Sequence, residues 1–366
     1  MNILQRLVFL VLLLTLASCT SAPGPTTTLE DETAALEEEQ GRIGSSAKGF
    51  SASEQTPEVA DTFSDPWPTA FSRVEQTNTA LAKSYKFFDT NTSKGMRPEL
   101  VVLLQPTVPS EYRAALTEAG DALLAAFAPY TQENHVLLIG SSVSWLIEQG
   151  DAYNITLPDS LERDGMTRVR FEDWAPTAFP DGEPSGWAHE NMAWVGYSEL
   201  NTEGGLQYIL SHELFHSIHL SIDGGQFFEV FPDGDERNSA KWFVEGTASY
   251  FGWAIRSWAG GQPYYSPTPT DDRYGMPICP ADFTGLSSYE SWYSSNAAYD
   301  YGQIAVEYLV ATTGVETLMG VFESMGTGMP FAEAFEDALS LPLLDFYELF
   351  DSHVISKSPS TSQCDA

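Results

Sequence analysis

The sequence predicts an α+β protein in which a small mixed sheet precedes a mainly helical region. Three short apolar runs bounded by turn residues, 99–104, 135–140 and 192–197, have the length and composition of buried strands. Farther along, apolar residues recur at helical spacing, and the first helical segment carries two histidines four residues apart. We therefore expect residues 67–200 to hold the sheet and residues 201–366 the helices, with the histidine-bearing helix between the two parts.

The other predicted helices follow from apolar spacing. Residues 110–130 have this spacing, and we expect Ser110 to be the N-cap of that helix. The stretch 260–291 is rich in Pro, Gly, Tyr and Ser and is predicted to be a long surface loop. Five further helices are predicted in the C-terminal part, at 239–258, 297–312, 315–325, 331–339 and 343–353.

The charge of the chain excludes one class of partner. Its 366 residues include 17 Lys and Arg but 51 Asp and Glu, which gives a formal net charge of -34. A surface that binds nucleic acid needs an excess of basic residues, so nucleic acid is not an expected partner. The apolar content of 43% is sufficient for one large or two modest hydrophobic cores.

The amino terminus has the pattern of a targeting segment. Residues 7–14 are an apolar run that is too short to span a bilayer but suits the core of a signal peptide. The run is followed by Leu-Ala-Ser-Cys, ending at Cys19, which resembles the lipobox of bacterial lipoproteins. The resemblance implies that residues 1–19 are the signal region and that an acylated Cys19 anchors the mature chain in a membrane. Because Thr20 is not the Asp that retains lipoproteins at the inner membrane, the implied location is the bacterial cell envelope at the outer membrane.

Residues 20–66 differ in composition from the rest of the chain. They are rich in Ser, Thr, Pro and Glu and show no periodic apolar face that could pack on a core. We expect this segment to be a disordered tether between the membrane anchor and the folded part.

Two cysteines remain beyond Cys19, at Cys279 and Cys364. In an oxidising compartment we expect them to form a disulfide that ties the carboxy terminus to the loop holding Cys279. The alternative is a pair of free thiols. Neither cysteine has a histidine close in sequence, so neither is a good candidate for a catalytic nucleophile.

Residues 212–216 read His-Glu-Leu-Phe-His and carry the main functional signal. On a helix, His212 and His216 share one face and the carboxylate of Glu213 lies beside them. Two neutral imidazoles and one acidic ligand form a three-ligand zinc site with an open position for water. We therefore predict one Zn²⁺, with Glu213 as the general base that takes a proton from the attacking water.

Glu245 is the predicted third ligand. It lies among apolar neighbours in the run 242–246, where an unpaired carboxylate is costly unless it meets a cation. One alternative is a buried salt bridge between Glu245 and Lys241 or Arg256. The other is His219, which shares the helix face of the two histidines. Three ligands on one straight helix do not converge easily on a tetrahedral ion, so His219 is expected to be a buried or supporting residue.

The runs 212–216 and 242–248 together resemble the gluzincin zinc metallopeptidases. This group includes thermolysin, the aminopeptidase N-type enzymes and the peptidase MA-like proteins. The resemblance covers about residues 192–353. It implies a helical zincin subdomain in which the two histidines of the first segment and the glutamate of the second bind zinc, and in which the first glutamate is the base; these are His212, His216, Glu245 and Glu213.

A third segment extends this resemblance. Residues 299–302, Tyr-Asp-Tyr-Gly, stand at the start of a predicted helix, as does a similar element in aminopeptidase N-type enzymes. The tyrosine of that element stabilises the tetrahedral intermediate, and the resemblance implies the same role for Tyr299. A phenol opposite the zinc can donate a hydrogen bond to an oxygen that gains charge in the transition state. The alternatives are that Tyr299 only packs, or that Tyr301 takes this role.

The chain also departs from the family pattern. The interval between His216 and Glu245 is longer than in thermolysin, and Ser249 occupies the position where thermolysin-like enzymes have an Asp that orients a zinc-bound His. The motif that captures the amino terminus of a substrate in aminopeptidase N-type enzymes is absent, and the corresponding segment, 190–194, reads Glu-Asn-Met-Ala-Trp. Without that amine-binding carboxylate, the sequence favours an endopeptidase.

The sequence thus predicts a lipid-anchored zinc endopeptidase that hydrolyses a peptide or protein substrate through a zinc-activated water. An alternative of another class is a catalytically silent lipoprotein of the same fold that acts as a binding or assembly module. The intact ligands and base favour catalysis. Hydrolysis of a non-peptide amide is a third possibility.

Overall fold

The computed structural model describes residues 72–95, 98–131, 133–142, 144–145, 148–149, 186–189, 191–197, 202–224, 240–267, 283–291 and 297–357. The predicted signal region with Cys19, the predicted tether 20–66, and the two cysteines Cys279 and Cys364 lie outside these residues. The anchor, the tether and the disulfide therefore stay predictions.

The described elements are mostly helical and include one small sheet, which is compatible with the predicted α+β class. The strands are β1 (Leu100–Leu104), β2 (His135–Gly140), β3 (Gly186–His189) and β4 (Met192–Gly196). The helices are α1 (Arg73–Thr92), α2 (Tyr112–Ala126), α3 (Glu203–Asp223), α4 (Lys241–Gly260), α5 (Ala297–Thr313), α6 (Val315–Gly326), α7 (Phe331–Leu339) and α8 (Leu343–Lys357). A short 3₁₀ helix, Leu286–Tyr289, precedes α5.

The sheet has the strand order β1-β2-β4-β3. Strands β1, β2 and β4 are parallel, whereas β3 pairs antiparallel with β4 at the edge. Every residue of β2 and β4 is buried, as expected of strands that are covered on both faces. The three predicted strands are confirmed, and β3 is an element that the sequence reasoning missed.

Two helix starts differ from the expectations. Helix α1 was not predicted, although Ser72 and Glu75 form a reciprocal capping box at its start. The prediction that Ser110 caps α2 is wrong, because the N-cap is Glu111, which makes no side-chain cap hydrogen bond. A tight turn precedes α2, in which the amide of Arg113 donates to the carbonyl of Ser110 (3.2 Å), so the serine lies one residue before the cap.

An aromatic cluster joins the helices to each other. Phe127, next to α2, lies 5.2 Å between ring centroids from Phe215 of α3 and 4.9 Å from Phe251 of α4, and Phe215 and Phe251 are 4.8 Å apart. Phe88 of α1 contacts the same cluster. These rings bury large apolar areas in edge and tilted contacts, so residues on both sides of position 200 share one hydrophobic core.

His135 links the sheet to α3. Its Nδ1 lies 2.9 Å from the hydroxyl of Ser217 on α3, and its Nε2 lies 3.1 Å from the hydroxyl of Thr131. Burial lowers the pKa of the His135 imidazole to about 4, so the ring is neutral near neutral pH. The link holds β2 against the turn of α3 that carries His216.

No single described helix is long and apolar enough to cross a membrane. Helices α5 and α6 meet the criteria of length and composition only together, and the chain bends by 112° between them. Most residues of α5 are buried in the hydrophobic core.

Helices α4 and α5 cross at two glycines. A Cβ atom on Gly302 would overlap the backbone carbonyl of Trp242, and a Cβ on Gly246 would overlap the backbone of Gly302. Side chains are excluded from this crossing, so the two backbones approach more closely than larger residues would allow. Gly246 directly follows Glu245, and Gly302 lies one helical turn after Tyr299, so the crossing sets the distance between these two residues.

The substitution Gly302→Ala should destabilise the protein by about 2–3 kcal/mol, because its methyl group meets backbone that cannot rotate away. The measurement is the free energy of unfolding from denaturant titration. Gly320→Ala on α6 is the matched control, because its methyl would lie 3.5 Å from the Cβ of Ala338, an ordinary contact. The control should gain about 0.5–1 kcal/mol from helix propensity, and equal losses in both variants would contradict the close crossing.

Candidate metal centre

Helix α3 places the two histidines of the HELFH run on one buried face. The helix begins at the N-cap Thr202, whose hydroxyl accepts from the amide of Gly205 (3.1 Å), and it ends at Gly224 in the left-handed conformation. His212 is 3% exposed and His216 is 6% exposed. Their Nε2 atoms lie 3.0 Å apart, so both rings point to the same position beside the helix.

Glu245 brings the third atom from the neighbouring helix α4. Its Oε2 lies 3.2 Å from His212 Nε2 and 3.3 Å from His216 Nε2. Ligands about 2.0–2.1 Å from a tetrahedral zinc are about 3.3 Å from one another, so these separations fit the requirement. His212, His216 and Glu245 therefore form a buried group that could hold a metal ion.

The electrostatics of this group favour a cation. Burial opposes ionisation of Glu245, but the adjacent histidines outweigh it and keep the pKa of this carboxyl below its usual value. Neutral imidazoles with the ring proton on Nδ1 direct two Nε2 lone pairs toward the carboxylate. A positive ion between the three atoms would remove the repulsion among these lone pairs, which makes the donor set chemically suited to a metal cation.

Lys241 and Arg256 are the two alternative partners that the sequence leaves open for Glu245. The carboxylate faces the two imidazoles, and Arg256 lies eleven residues farther along α4, about 16 Å along the helix axis. The guanidinium of Arg256 lies over the Trp253 ring, 5.0 Å from its centroid. Lys241 is buried one turn before Glu245, and its Nζ lies 5.6 Å from the centroid of the Tyr299 ring. Burial lowers the pKa of Lys241, and the charge of Glu245 offsets part of this effect.

His219 lies behind His216 and outside the group of converging atoms. Its Nε2 is 3.0 Å from Nδ1 of His216, the ring nitrogen on the side opposite the one that faces Glu245. The Nδ1 of His219 is 3.3 Å from Oδ2 of Asp223. His219 and Asp223 are 0% and 1% exposed. Burial is the largest influence on His219 and lowers the pKa of its imidazole.

His212 has a different partner on its outer nitrogen. Nδ1 of His212 lies 3.4 Å from the hydroxyl of Ser249, which accepts a hydrogen bond from the hydroxyl of Tyr208 (3.3 Å). The Tyr208 ring stacks on Trp253 with centroids 4.2 Å apart. Ser249 thus contacts His212 with a neutral hydroxyl.

Glu213, the predicted base, is buried between α3 and the edge of the sheet. A Cβ atom on Gly186 of β3 would overlap Cγ of Glu213, so the strand passes directly over this side chain. Burial, and then the nearby charge of Glu245, raise the pKa of Glu213 well above its ordinary value. A raised pKa makes the ionised carboxylate a better proton acceptor.

Tyr299 lies beside His212. Its ring stacks on His212, with centroids 6.0 Å apart and an interplanar angle of 23°. Tyr301 instead is 1% exposed and packs against Tyr289 and Phe283, with centroids 5.6 Å and 4.5 Å away. Of the two tyrosines, only Tyr299 contacts the histidine of the site in the described ring contacts.

Part of the segment 190–194, which was compared with the amine-binding motif, lies in the interior strand β4, Met192–Gly196, paired with β2 and β3. The edge beside Glu213 is β3, Gly186–His189, whose four residues are too few for a clear alternation of polar and apolar side chains. The His219–Asp223 pair was also missed, although its i, i+4 spacing was visible in the sequence.

No protein-family model matches the chain, and no curated protein matches it.

The three converging atoms predict tight metal binding that depends on Glu245. Zinc added to metal-free protein should bind in a one-to-one ratio and raise the melting temperature. Glu245→Gln should weaken zinc binding by more than about 100-fold, because an uncharged amide replaces the anionic ligand. The measurement is competition with a chromogenic chelator.

Glu203→Gln is the matched control, since Glu203 is exposed in the first turn of α3 and undergoes the same chemical change. It should bind zinc as the unchanged protein does. Equal zinc affinity in the Glu245 and Glu203 variants would remove Glu245 from the site.

Proposed function

We propose that this chain is a zinc-dependent metallopeptidase of the gluzincin type that hydrolyses peptide bonds within a peptide or protein. The observation that carries the proposal is the triangle of His212 Nε2, His216 Nε2 and Glu245 Oε2, with sides of 3.0, 3.2 and 3.3 Å, next to the buried carboxyl of Glu213. A three-ligand site with a neighbouring base is the arrangement of catalytic zinc centres, since structural centres use four protein ligands.

His212, His216 and Glu245 would hold the ion. A zinc ion held there would supply Lewis acidity and would lower the pKa of water to about 7. Glu213 accepts the proton of the attacking water on a carboxylate oxygen and delivers it to the leaving amine. Tyr299 donates its phenol proton in a hydrogen bond to the carbonyl oxygen of the substrate as that oxygen gains negative charge.

The edge strand β3 supports a peptide as the substrate. It pairs with β4 on one side, and no strand among the described residues pairs with its other side. An extended peptide can add to such an edge through main-chain hydrogen bonds, which do not require a chain terminus. Because Gly186 of β3 lies against Glu213, a peptide on this edge would pass next to the base. This position supports an endopeptidase.

A second function, binding without turnover, is favoured by the depth of the site. Glu213 and the three ligands are each at most 7% exposed in the described structure, and a fully buried site would admit metal but no substrate. Glu213 favours catalysis over binding without turnover, because a site that only stores metal needs no base. In either case we propose attachment to the bacterial outer membrane through Cys19, from the lipobox-like sequence.

Removing the base separates these functions. Glu213→Gln should reduce kcat for peptide hydrolysis by at least about 1,000-fold, because the amide cannot accept the proton of the water, and it should leave the zinc content near one per chain. The measurements are cleavage of a peptide library by mass spectrometry and metal analysis of the same sample. A zinc-loaded, unmodified protein that cleaves no peptide would establish the binding function and refute the peptidase.

Tyr299 and Tyr301 provide a matched pair of substitutions. Tyr299→Phe should lower kcat by about 10- to 1,000-fold with little change in KM, because only the transition state has a charged oxygen to receive the hydrogen bond. Tyr301→Phe should leave kcat within about threefold, since Tyr301 packs in the core. The kcat values of both variants are measured on the same cleaved peptide. A larger loss of kcat in the Tyr301 variant would make Tyr301 the hydrogen-bond donor and Tyr299 the packing residue.

A further inference from the structure

Three side chains on the last two turns of α3 form a buried hydrogen-bonded row that begins at His216. His216 Nδ1 lies 3.0 Å from His219 Nε2, and His219 Nδ1 lies 3.3 Å from Asp223 Oδ2. The spacing of three and then four residues puts all three on one face of the helix. The row leads away from the three converging atoms and ends at a carboxylate that is 1% exposed.

Metal binding permits one arrangement of protons in this row. A metal bound at Nε2 of His216 takes the lone pair of that nitrogen, so the ring proton is on Nδ1 and is donated to Nε2 of His219. Nε2 of His219 then acts as an acceptor, which puts the proton of His219 on Nδ1, where it is donated to Asp223. Every donor in the row thereby has an acceptor, and the order fixes the tautomer of both imidazoles.

The row is held rigidly by the helices around it. The His219 ring stacks on Phe322 of α6, with centroids 5.2 Å apart and an interplanar angle of 22°. At the end of the same helix, a Cβ on Gly326 would overlap the carbonyl oxygen of Ile222, the residue before Asp223. Helix α6 therefore packs directly on the turn that carries Asp223.

The other histidine of the site, His212, contacts a hydroxyl group at its outer nitrogen, Nδ1. Nδ1 of His212 faces the neutral hydroxyl of Ser249 at 3.4 Å, a long hydrogen bond. A carboxylate that accepts from a ligand imidazole orients the ring and makes its metal-bound nitrogen more basic, whereas a hydroxyl does so less. The carboxylate of Asp223 thus supports His216 through His219.

We propose that His219 and Asp223 are positioning residues for the metal, and that they fix the tautomer and the orientation of His216 through the row Asp223–His219–His216. The carboxylate of Asp223 acts on the second histidine of the HELFH run through the intervening imidazole of His219. This proposal rests on the zinc site of the proposed function and adds two residues that hold one of its ligands in place.

The test compares two substitutions of His219 that differ in hydrogen bonding. His219→Gln keeps an oxygen that can accept from His216 Nδ1 and an N–H group that can donate to Asp223. His219→Leu removes both while filling a similar space. The unmodified protein, the two variants and Asp223→Asn are loaded with Zn²⁺ or with Co²⁺. The readouts are the zinc dissociation constant, the visible absorption spectrum of bound Co²⁺ and the melting temperature of the metal-free form.

We expect His219→Leu to weaken zinc binding by about 10- to 100-fold and to change the Co²⁺ spectrum. His219→Gln should restore affinity to within about fivefold of the unmodified protein, and Asp223→Asn should lie between the two variants. The melting temperatures of the metal-free forms show whether His219→Leu folds; if it does not, the Gln and Asn variants still decide the question through their Co²⁺ spectra.

Zinc affinity and a Co²⁺ spectrum unchanged in all three variants would overturn the positioning role and leave His219 as a packing residue. An equal loss in the Gln and Leu variants would also overturn it, because hydrogen bonding would then not matter. These outcomes are distinct from failure of the proposed function, in which the unmodified protein itself binds no zinc or cleaves no peptide.

Discussion

The convergence of three potential metal-ligand atoms from two helices is the constraint on which the rest of the site depends. His212 and His216 direct their Nε2 atoms to one position, and Glu245 adds an oxygen within 3.3 Å of each. In a buried setting such atoms repel one another unless a proton or a metal ion lies between them. The two histidines are held from behind, His216 by His219 and His212 by Ser249.

Close packing between helices provides that support. The glycines at the crossing of α4 and α5 set the distance between Glu245 and Tyr299, and Gly186 lets the edge strand β3 approach Glu213. The Phe127, Phe215 and Phe251 cluster fixes α3 against α2 and α4. A shift of 1 Å between α3 and α4 would separate the ligands by more than a zinc ion tolerates, so the stability of this core and the metal affinity are coupled.

Much of this arrangement could be predicted from the sequence, because its signals are local. The strands at β1, β2 and β4 are short apolar runs, and the two histidines are four residues apart on one helix, so periodicity alone places them. Glu245 could be predicted from the cost of a buried carboxylate. The strand β3 and the choice between Tyr299 and Tyr301 could not, because both depend on tertiary contacts. The His219–Asp223 pair is local in sequence. Its contact with His216 could not be predicted, because that depends on which ring nitrogen of His216 faces Glu245.

The most direct measurement is X-ray diffraction at the zinc absorption edge, on crystals grown with one equivalent of zinc. We expect a single anomalous peak about 2.0–2.2 Å from Nε2 of His212, Nε2 of His216 and a carboxylate oxygen of Glu245, with His219 bonded only to His216 and Asp223. A peak coordinated by His219 would refute the assigned ligands. No peak at the site, with Glu245 hydrogen-bonded to protonated imidazoles, would show that this cluster is an ion pair and not a metal centre.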